Sequence, residues 1–137
     1  MMIKYKFLFL FFVSVLFFGC RKNTSGSGGK AQINGYLLYQ GTGYLQYQNN
    51  RVTKNAVVYI KYGASTFPGT DVSQYDSQQN TDSQGNFVFG TLFEGDYYLY
   101  ATGSYILPYG FIQNVSGGIH VTITTRKVTL NYDIPLQ

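Results

Sequence analysis

The sequence predicts an all-β chain, one two-sheet sandwich of about seven short strands behind an export leader. Three observations predict it. Apolar residues recur at every second position in several segments, no segment beyond residue 30 has the spacing of an amphipathic helix, and turn signals stand between the alternating segments. The 137 residues amount to one domain on the usual scale of roughly 100 to 200 residues each. Hydrophobic residues make up 45% and charged residues 12%, with Tyr 14 and Phe 11, a composition that supports a core and excludes a disordered chain.

The order of elements starts with Met1-Met2-Ile3-Lys4-Tyr5-Lys6, which is basic, and Phe7 to Phe18, which is apolar apart from Ser14 and ends at Gly19-Cys20. A basic start, an apolar stretch of about 7 to 15 residues and a small residue at the cut are the layout of a secretory signal. A lasting membrane span needs about 20 apolar residues to cross a core roughly 30 Å thick. Residues 1–19 are therefore expected to be removed. Removing Lys4 and Lys6 leaves eight basic against six acidic residues, a surplus of +2 without a basic cluster in the folded part, which argues against nucleic-acid binding.

Cys20 is the only cysteine. A lone thiol in an oxidising compartment has no intramolecular partner, so a chemical use for it is the economical reading. The run Phe17-Phe18-Gly19-Cys20 resembles a bacterial lipobox, with Phe17 where Leu is usual. The resemblance implies a diacylglycerol on the Cys20 thiol, cleavage before Cys20 and acylation of the new N-terminus, giving a membrane anchor of several fatty-acyl (palmitate-type) chains. Arg21-Lys22-Asn23-Thr24 carries no acid. By the same resemblance this favours an outer-membrane lipoprotein facing the periplasm over inner-membrane retention or surface display. Residues 20–30, containing Ser25-Gly26-Ser27-Gly28-Gly29, have the composition of a flexible tether.

Residues 31–137 form the expected domain. Ile33 to Tyr39 supplies a first strand, followed by a long Tyr- and Gln-rich connection from Gln40 to Asn50. Ala56, Val58 and Ile60 alternate with Val57, Tyr59 and Lys61; a polar strand is expected within Val72 to Gln79. Thr81 to Asn86 is a hairpin turn in which Asp82 is placed to accept backbone N–H bonds and Gly85 to take positive φ. Phe87 and Phe89 flank Val88, Gly95 marks a corner, and Tyr97, Leu99 and Ala101 alternate with Tyr98 and Tyr100. Ile119, Val121 and Ile123, then Val128, Leu130, Tyr132 and Ile134, are expected to form a final hairpin turning near Arg126-Lys127.

Gly35, then Ala56-Val57-Val58-Tyr59-Ile60, then Thr81-Asp82-Ser83-Gln84-Gly85-Asn86-Phe87-Val88-Phe89, then Leu92-Phe93-Glu94-Gly95-Asp96-Tyr97-Tyr98-Leu99 resemble, in order, the motifs of the carboxypeptidase regulatory-like, or transthyretin-like, β-sandwich family. The resemblance implies an Ig-like, Greek-key sandwich used as a spacer, accessory or adhesion and carbohydrate-contacting module. The Gln40 to Asn50 connection departs from the short turn of most relatives. Pilin-like relatives raise an isopeptide bond between Lys30 and Asn131 assisted by Glu94, against which stand the place of Lys30 beside the tether and of Glu94 in a turn.

Catalysis finds little support in the residues. Hydrolysis or zinc binding needs several converging His, Cys or acidic side chains, and His120 is the one histidine, on the outward phase of its strand. No serine lies in a glycine elbow, and Asp82 to Asn86 lacks the further carboxylates of a calcium loop. The expectation is a non-enzyme without metal or cofactor other than the lipid on Cys20. Tyr97, Leu99, Phe87, Phe89, Val58 and Ile60 read as core. Tyr98, Tyr100, Tyr59, Tyr44, Tyr47, Tyr105 and Tyr109 fall on the outward phase or in loops, where they either pair across strands or form a contact surface. The leading expectation is a lipid-anchored envelope module presenting Tyr44, Tyr47, Tyr98, Tyr100, Tyr105 and Tyr109 to a protein partner. The alternative is a glycan-binding accessory lipoprotein of a polysaccharide-uptake system.

Overall fold

The structure, a computed structural model, describes residues 24–40, 50–52, 54–107 and 109–137. Its strands are β1 (Ser27–Tyr39), β2 (Asn50–Arg51), β3 (Lys54–Tyr62), β4 (Ser77–Asn80), β5 (Asn86–Leu92), β6 (Gly95–Ile106), β7 (Ile112–Ile123), β8 (Thr129–Asn131) and β9 (Ile134–Leu136). One sheet is antiparallel in the order β4-β3-β6-β7. The other is built around β1, with β5 and β2 antiparallel to it on one flank and β8 and β9 parallel to it on the other. The all-β sandwich expected from the alternation is the fold observed.

The core follows the pleat. Side chains at alternate positions of a strand share one face, and Ile33 and Leu37 of β1 meet Val58 and Ile60 of β3, Phe87 and Phe89 of β5, Leu99 of β6 and Val121 of β7 in one buried cluster. Tyr97 lies wholly within it, and its hydroxyl accepts the Gly26 N–H (3.0 Å) and reaches the carbonyls of Phe93 (2.7 Å) and Gly26 (3.2 Å). The buried ring thus keeps its polar tip bonded. This one side chain fastens the start of β1 to the turn before β6, and the Phe93 N–H completes the junction by donating to the Gly26 carbonyl at 2.9 Å.

That junction corrects the reading of Ser25 to Gly29 as tether. β1 begins at Ser27, which pairs with Leu92 of β5. The glycines there serve close packing as well as bending: a Cβ on Gly29 would stand 1.9 Å from the Leu92 carbonyl oxygen. Composition registers glycine as flexibility, whereas here its missing side chain lets two backbones meet.

The expected final hairpin is also corrected. β7 pairs with β6, but the chain then crosses to the other sheet, where β8 and β9 run parallel to β1. Alternation fixes which face of a strand is apolar and is silent on which sheet the strand joins. The last strand is interrupted at Tyr132-Asp133, where the Tyr132 carbonyl sits against Gly35, 1.7 Å from where a Cβ would be. Ser116 and Gln137 exchange reciprocal backbone bonds of 3.1 Å, so the C-terminal strand also leans on β7 and draws the two sheets together along that side. Gly117 makes this possible, since its Cβ would lie 2.0 Å from the Pro135 carbonyl oxygen.

Two smaller differences concern the middle of the chain. The polar strand expected within Val72 to Gln79 resolves into a 3-10 turn, Val72–Gln74, and the short strand β4. Lys30 and Asn131 are not opposed either: Asn131 pairs with Asn34, four residues along β1 from Lys30 and so about 13 Å away. This register does not bring the two groups of the suggested isopeptide together.

Candidate functional site

Register places the outward side chains of the four-stranded sheet in rows. Tyr98 stands between Lys61 and His120, and Tyr100 between Tyr59 and Gly118. Thr102 stands between Val57 and Ser116, and Ser104 faces Asn114. The face therefore changes from aromatic to small and polar along its length.

The aromatic half is covered. The segment after β3 folds back over the sheet and lays Phe67 against Tyr98 and Tyr100, with ring centroids 5.6 and 5.4 Å apart, and Tyr75 against Tyr59 and Tyr100 at 5.8 and 5.7 Å. Such spacing is favourable aromatic packing. The Asp76 carboxylate ties the end of this cover down, accepting the Tyr62 N–H at 2.7 Å and pairing with the Lys61 ammonium at 3.1 Å. Tyr75 donates its hydroxyl to the Gly69 carbonyl at 2.8 Å. Loss of hydration beneath the cover, with Tyr100 and Tyr98 nearby, pushes the Tyr75 phenol up to about 12. The same desolvation raises Tyr98. Gly118 accommodates the Tyr98 ring, whose nearest carbon would lie 2.6 Å from an added Cβ.

The other half is open. A shallow cleft of about 460 Å³ is lined by Asn55, Thr102, Gly103, Ser104, Asn114, Val115 and Ser116. A second, of about 440 Å³, is lined by Asn55, Ala56, Val57, Asn80 and Thr81. Asn55 belongs to both. It sits in an irregularity of the β3–β6 register between Lys54 and Val57, with φ 49, a left-handed conformation that asparagine tolerates better than most residues. Ser104 donates to Asn114 Oδ1 at 3.1 Å, fixing that amide on the cleft floor.

Other polar groups are in structural use. Asp96 Oδ1 accepts from the Thr122 hydroxyl at 2.7 Å and lies 3.0 Å from His120 Nε2. The Thr122 hydroxyl also lies 3.4 Å from His120 Nε2, so carboxylate and hydroxyl meet the same ring nitrogen, whereas a hydrolytic triad places them on opposite nitrogens. Asp82 accepts the N–H groups of Gln84 (2.8 Å) and Asn86 (2.9 Å), with Gly85 at φ 79, so this turn forms as its residue types dictate. Gly95, at φ 140, marks the corner before β6. Among the described residues no group of three His, Cys, Asp or Glu is placed to hold a metal ion.

The tyrosines proposed as a contact surface separate into different environments. Tyr98 and Tyr100 share the covered aromatic cluster, and Tyr100 is only 5% exposed although it points away from the main core. Tyr105 stacks on Tyr39 at 4.3 Å and packs against the core. Tyr100 is thereby removed from a contact surface by packing that alternation does not reveal, whereas Tyr105 is partly buried. Tyr109 is 97% exposed in the β6–β7 turn, beside exposed Ile106, Phe111 and Ile112. Tyr44, Tyr47 and Cys20 lie outside the described residues. Sequence pattern alone does not single out the cleft residues Thr102, Ser104, Asn114 and Ser116, although their small polar side chains all fall on the outward phase of two adjacent strands.

An all-β sandwich with a ligand-sized cleft on one sheet is the class of protein these features define. No protein-family model matches the chain, and no curated protein matches it. Solved structures that share the fold include two of bacterial origin. One is a candidate carbohydrate-binding protein from Pseudomonas aeruginosa, with a TM-score of 0.54 at 17% identity over 81% of this chain and 91% of that one. The other is the major pilin subunit of Bacillus cereus, with a TM-score of 0.50 at 15% identity over 77% of this chain. The match spans 30% of the pilin's length.

Proposed function

We propose that the protein is a non-catalytic binding module of the bacterial envelope, of the carboxypeptidase regulatory-like, transthyretin-like kind, anchored by acyl chains on Cys20. It belongs on the periplasmic side of the outer membrane and engages a protein partner through the end of the sandwich remote from the anchor. The carrying observation is the exposed apolar group at the β6–β7 turn, where Tyr109 is 97%, Phe111 71%, Ile112 59% and Ile106 50% exposed. Exposed aromatic and aliphatic residues gathered at one place mark contact surfaces. β1 runs from Ser27, beside the fastened Gly26, at one end to Tyr39 at the other, and Tyr39 stacks on Tyr105 next to this turn. The connection bearing Tyr44 and Tyr47 leaves and re-enters at that same end, from Gln40 to Asn50.

Two measurements test this. Intact mass of membrane-extracted protein should show a chain starting at Cys20 with added lipid, lost in Cys20→Ser; an unlipidated chain overturns the anchor. Pull-down of the partner should be lost in Tyr44→Ala/Tyr47→Ala and in Tyr109→Ala/Phe111→Ser without a fall in melting temperature, and retention in both removes the docking end.

A second reading, carbohydrate contact as an accessory lipoprotein of polysaccharide uptake, is supported by the candidate carbohydrate-binding structure of like fold. Calorimetric or tyrosine-fluorescence changes with polysaccharide test it, and silence across a broad glycan panel would sink it.

A further inference from the structure

We infer that the outer edge of β7, from Gly118 to Ile123, accepts an added strand: an extended segment of a partner protein, apolar at alternate positions and acidic at the end beside Arg126 and Lys127. The inference goes beyond the contact at the β6–β7 turn and does not depend on it.

The first argument is an account of the main chain. β7 pairs with β6 in continuous register from Ile112 to Ile123. Ser116 exchanges both of its main-chain bonds with Gln137, 3.1 Å each, so its N–H and C=O point away from β6. Main-chain direction alternates along an antiparallel strand, which puts the N–H and C=O groups of Gly118, His120 and Thr122 on that same outer edge. The chain's C-terminal end meets the edge at Ser116, and beyond it none of these main-chain groups has a hydrogen-bond partner among the described residues. Such groups are what an incoming strand bonds to.

The second is that this edge is unguarded where others are guarded. Folded proteins blunt sheet edges with charge, proline, bulges, short strands or covering groups. In β5 the Val88 N–H is taken by the Gln79 side chain at 3.2 Å, the Asn86 N–H by Asp82, and Thr91 interrupts the strand at φ 55. β4 is short, polar and exposed throughout. β7 has no Lys, Arg, Asp, Glu or Pro between Ile112 and Ile123 and no register shift against β6. A long, regular, uncharged edge is a template for pairing with another chain.

The third is what the surroundings ask of the added strand. Ile119 of β7 and Val128, Leu130 and Tyr132 on the opposite sheet pack on the core and stay part-exposed, so every second side chain of the strand meets apolar surface. The other phase stands beside exposed His120 and Thr122. Past Ile123 the chain turns through Thr124 to Lys127, all exposed, and Arg126 and Lys127 form no ion pair among the described residues. Lys30 is at the same end, two residues before Gln32, whose N–H donates to the Val128 carbonyl. The acids of that end, Glu94 and Asp96, already hold partners. Asp133, at the β8–β9 break, lies about 13 Å from Thr129 along the flank. Acidic residues therefore belong at the end of the added strand beside the loop, and apolar ones in its middle.

Fluorescence anisotropy of labelled synthetic peptides with the full chain tests this. Each peptide has aspartates at its N-terminal end, which antiparallel pairing sets beside Arg126, followed by threonine alternating with valine, isoleucine, leucine or phenylalanine across the panel. At least one should bind. Thr122→Pro, which removes an edge N–H where edge strands tolerate proline, should weaken binding about tenfold more than Thr122→Val, which loses the same hydroxyl and keeps the N–H. Arg126→Glu/Lys127→Glu should weaken it severalfold and favour the same peptides with lysine in place of aspartate. Val88→Thr on the other sheet should leave it unchanged. In the native chain the Gly118, His120 and Thr122 amides should exchange fast when free and slow when peptide is bound, a readout that needs no variant. Amides already protected in the free chain, or binding that leaves them unprotected, overturns the site. Equal binding of aspartate and lysine peptides overturns the acidic class, and a dimer of the native chain that Thr122→Pro dissolves makes the occupant a second copy instead. Silence across the panel overturns the inference and leaves the contact at the β6–β7 turn standing.

Discussion

Replacing Tyr97 with Phe deletes one oxygen and tests whether the start of β1 is fastened as described. That oxygen accepts the Gly26 N–H at 3.0 Å and lies 2.7 Å from the Phe93 carbonyl, which the phenol proton reaches. The ring itself is fully buried and stays in place in the variant, so hydrophobic burial hardly changes. What changes is that a donor and an acceptor at a partly buried junction lose their partner, a cost of about 1 to 3 kcal/mol. Taking about 2 kcal/mol, a domain of this size should melt about 10 °C lower. The loss should also be local. Amide exchange at Gly26 and Phe93 should accelerate well before exchange in the middle of β6, because the N-terminal strand peels from its fastened end. Chemical denaturation and exchange measured together decide it. A stability loss below about 0.5 kcal/mol, with residues 24–30 as protected as in the native chain, would refute the reasoning.

Gly117→Ala places a Cβ 2.0 Å from the Pro135 carbonyl oxygen, so β9 must shift; a loss of about 3 kcal/mol is expected, read by urea denaturation. Asp82→Ala removes the acceptor for Gln84 and Asn86 at an exposed turn and should cost about 1 kcal/mol by the same measurement. The Tyr75 phenol is raised from 10.0 to about 12 in the folded chain, so the unfolded chain gives up that proton first. Its contribution is intact below pH 10 and lost as pH rises from 10 through 12; the stability of the native chain, read by denaturation, should fall more steeply in that window than that of Tyr75→Phe. Phe67→Ala uncovers Tyr98 and Tyr100 and should shift the near-ultraviolet circular dichroism of the tyrosines while the far-ultraviolet spectrum holds.

Much of the fold was legible because a strand's two faces follow a period of two. Tyr97, Leu99, Phe87, Phe89, Val58 and Ile60 read as core from alternation and are core. Asp82 and Gly85 read as a turn because their side chains, or lack of one, act on adjacent backbone. What stayed hidden depends on contacts between distant segments. Tyr100 points away from the core and is nonetheless buried, because Phe67 and Tyr75, from a stretch without periodicity, close over it. Ser25 to Gly29 reads as flexible until Leu92 is brought against Gly29. The choice of β8 and β9 to join β1 rests on glycines at Gly35 and Gly117, whose role shows only once the opposing carbonyls are in place. The cleft was hidden for a different reason: small polar residues on an outward phase look like ordinary surface until the cover over the neighbouring half ends and leaves them open.

The pairing of β1 with β8 and β9 sets the order in which the molecule can assemble. The four-stranded sheet can form from residues 54–123, and β1 finds β5 once residue 92 exists, but its other flank waits for residues 129–136. Nearly the whole chain separates those partners, and contacts so far apart in sequence close slowly. A chain lacking residues from Thr129 onward would carry β1 with one flank unpaired, so β8 and β9 act as the closing step of folding, and the finished sandwich cannot form ahead of them.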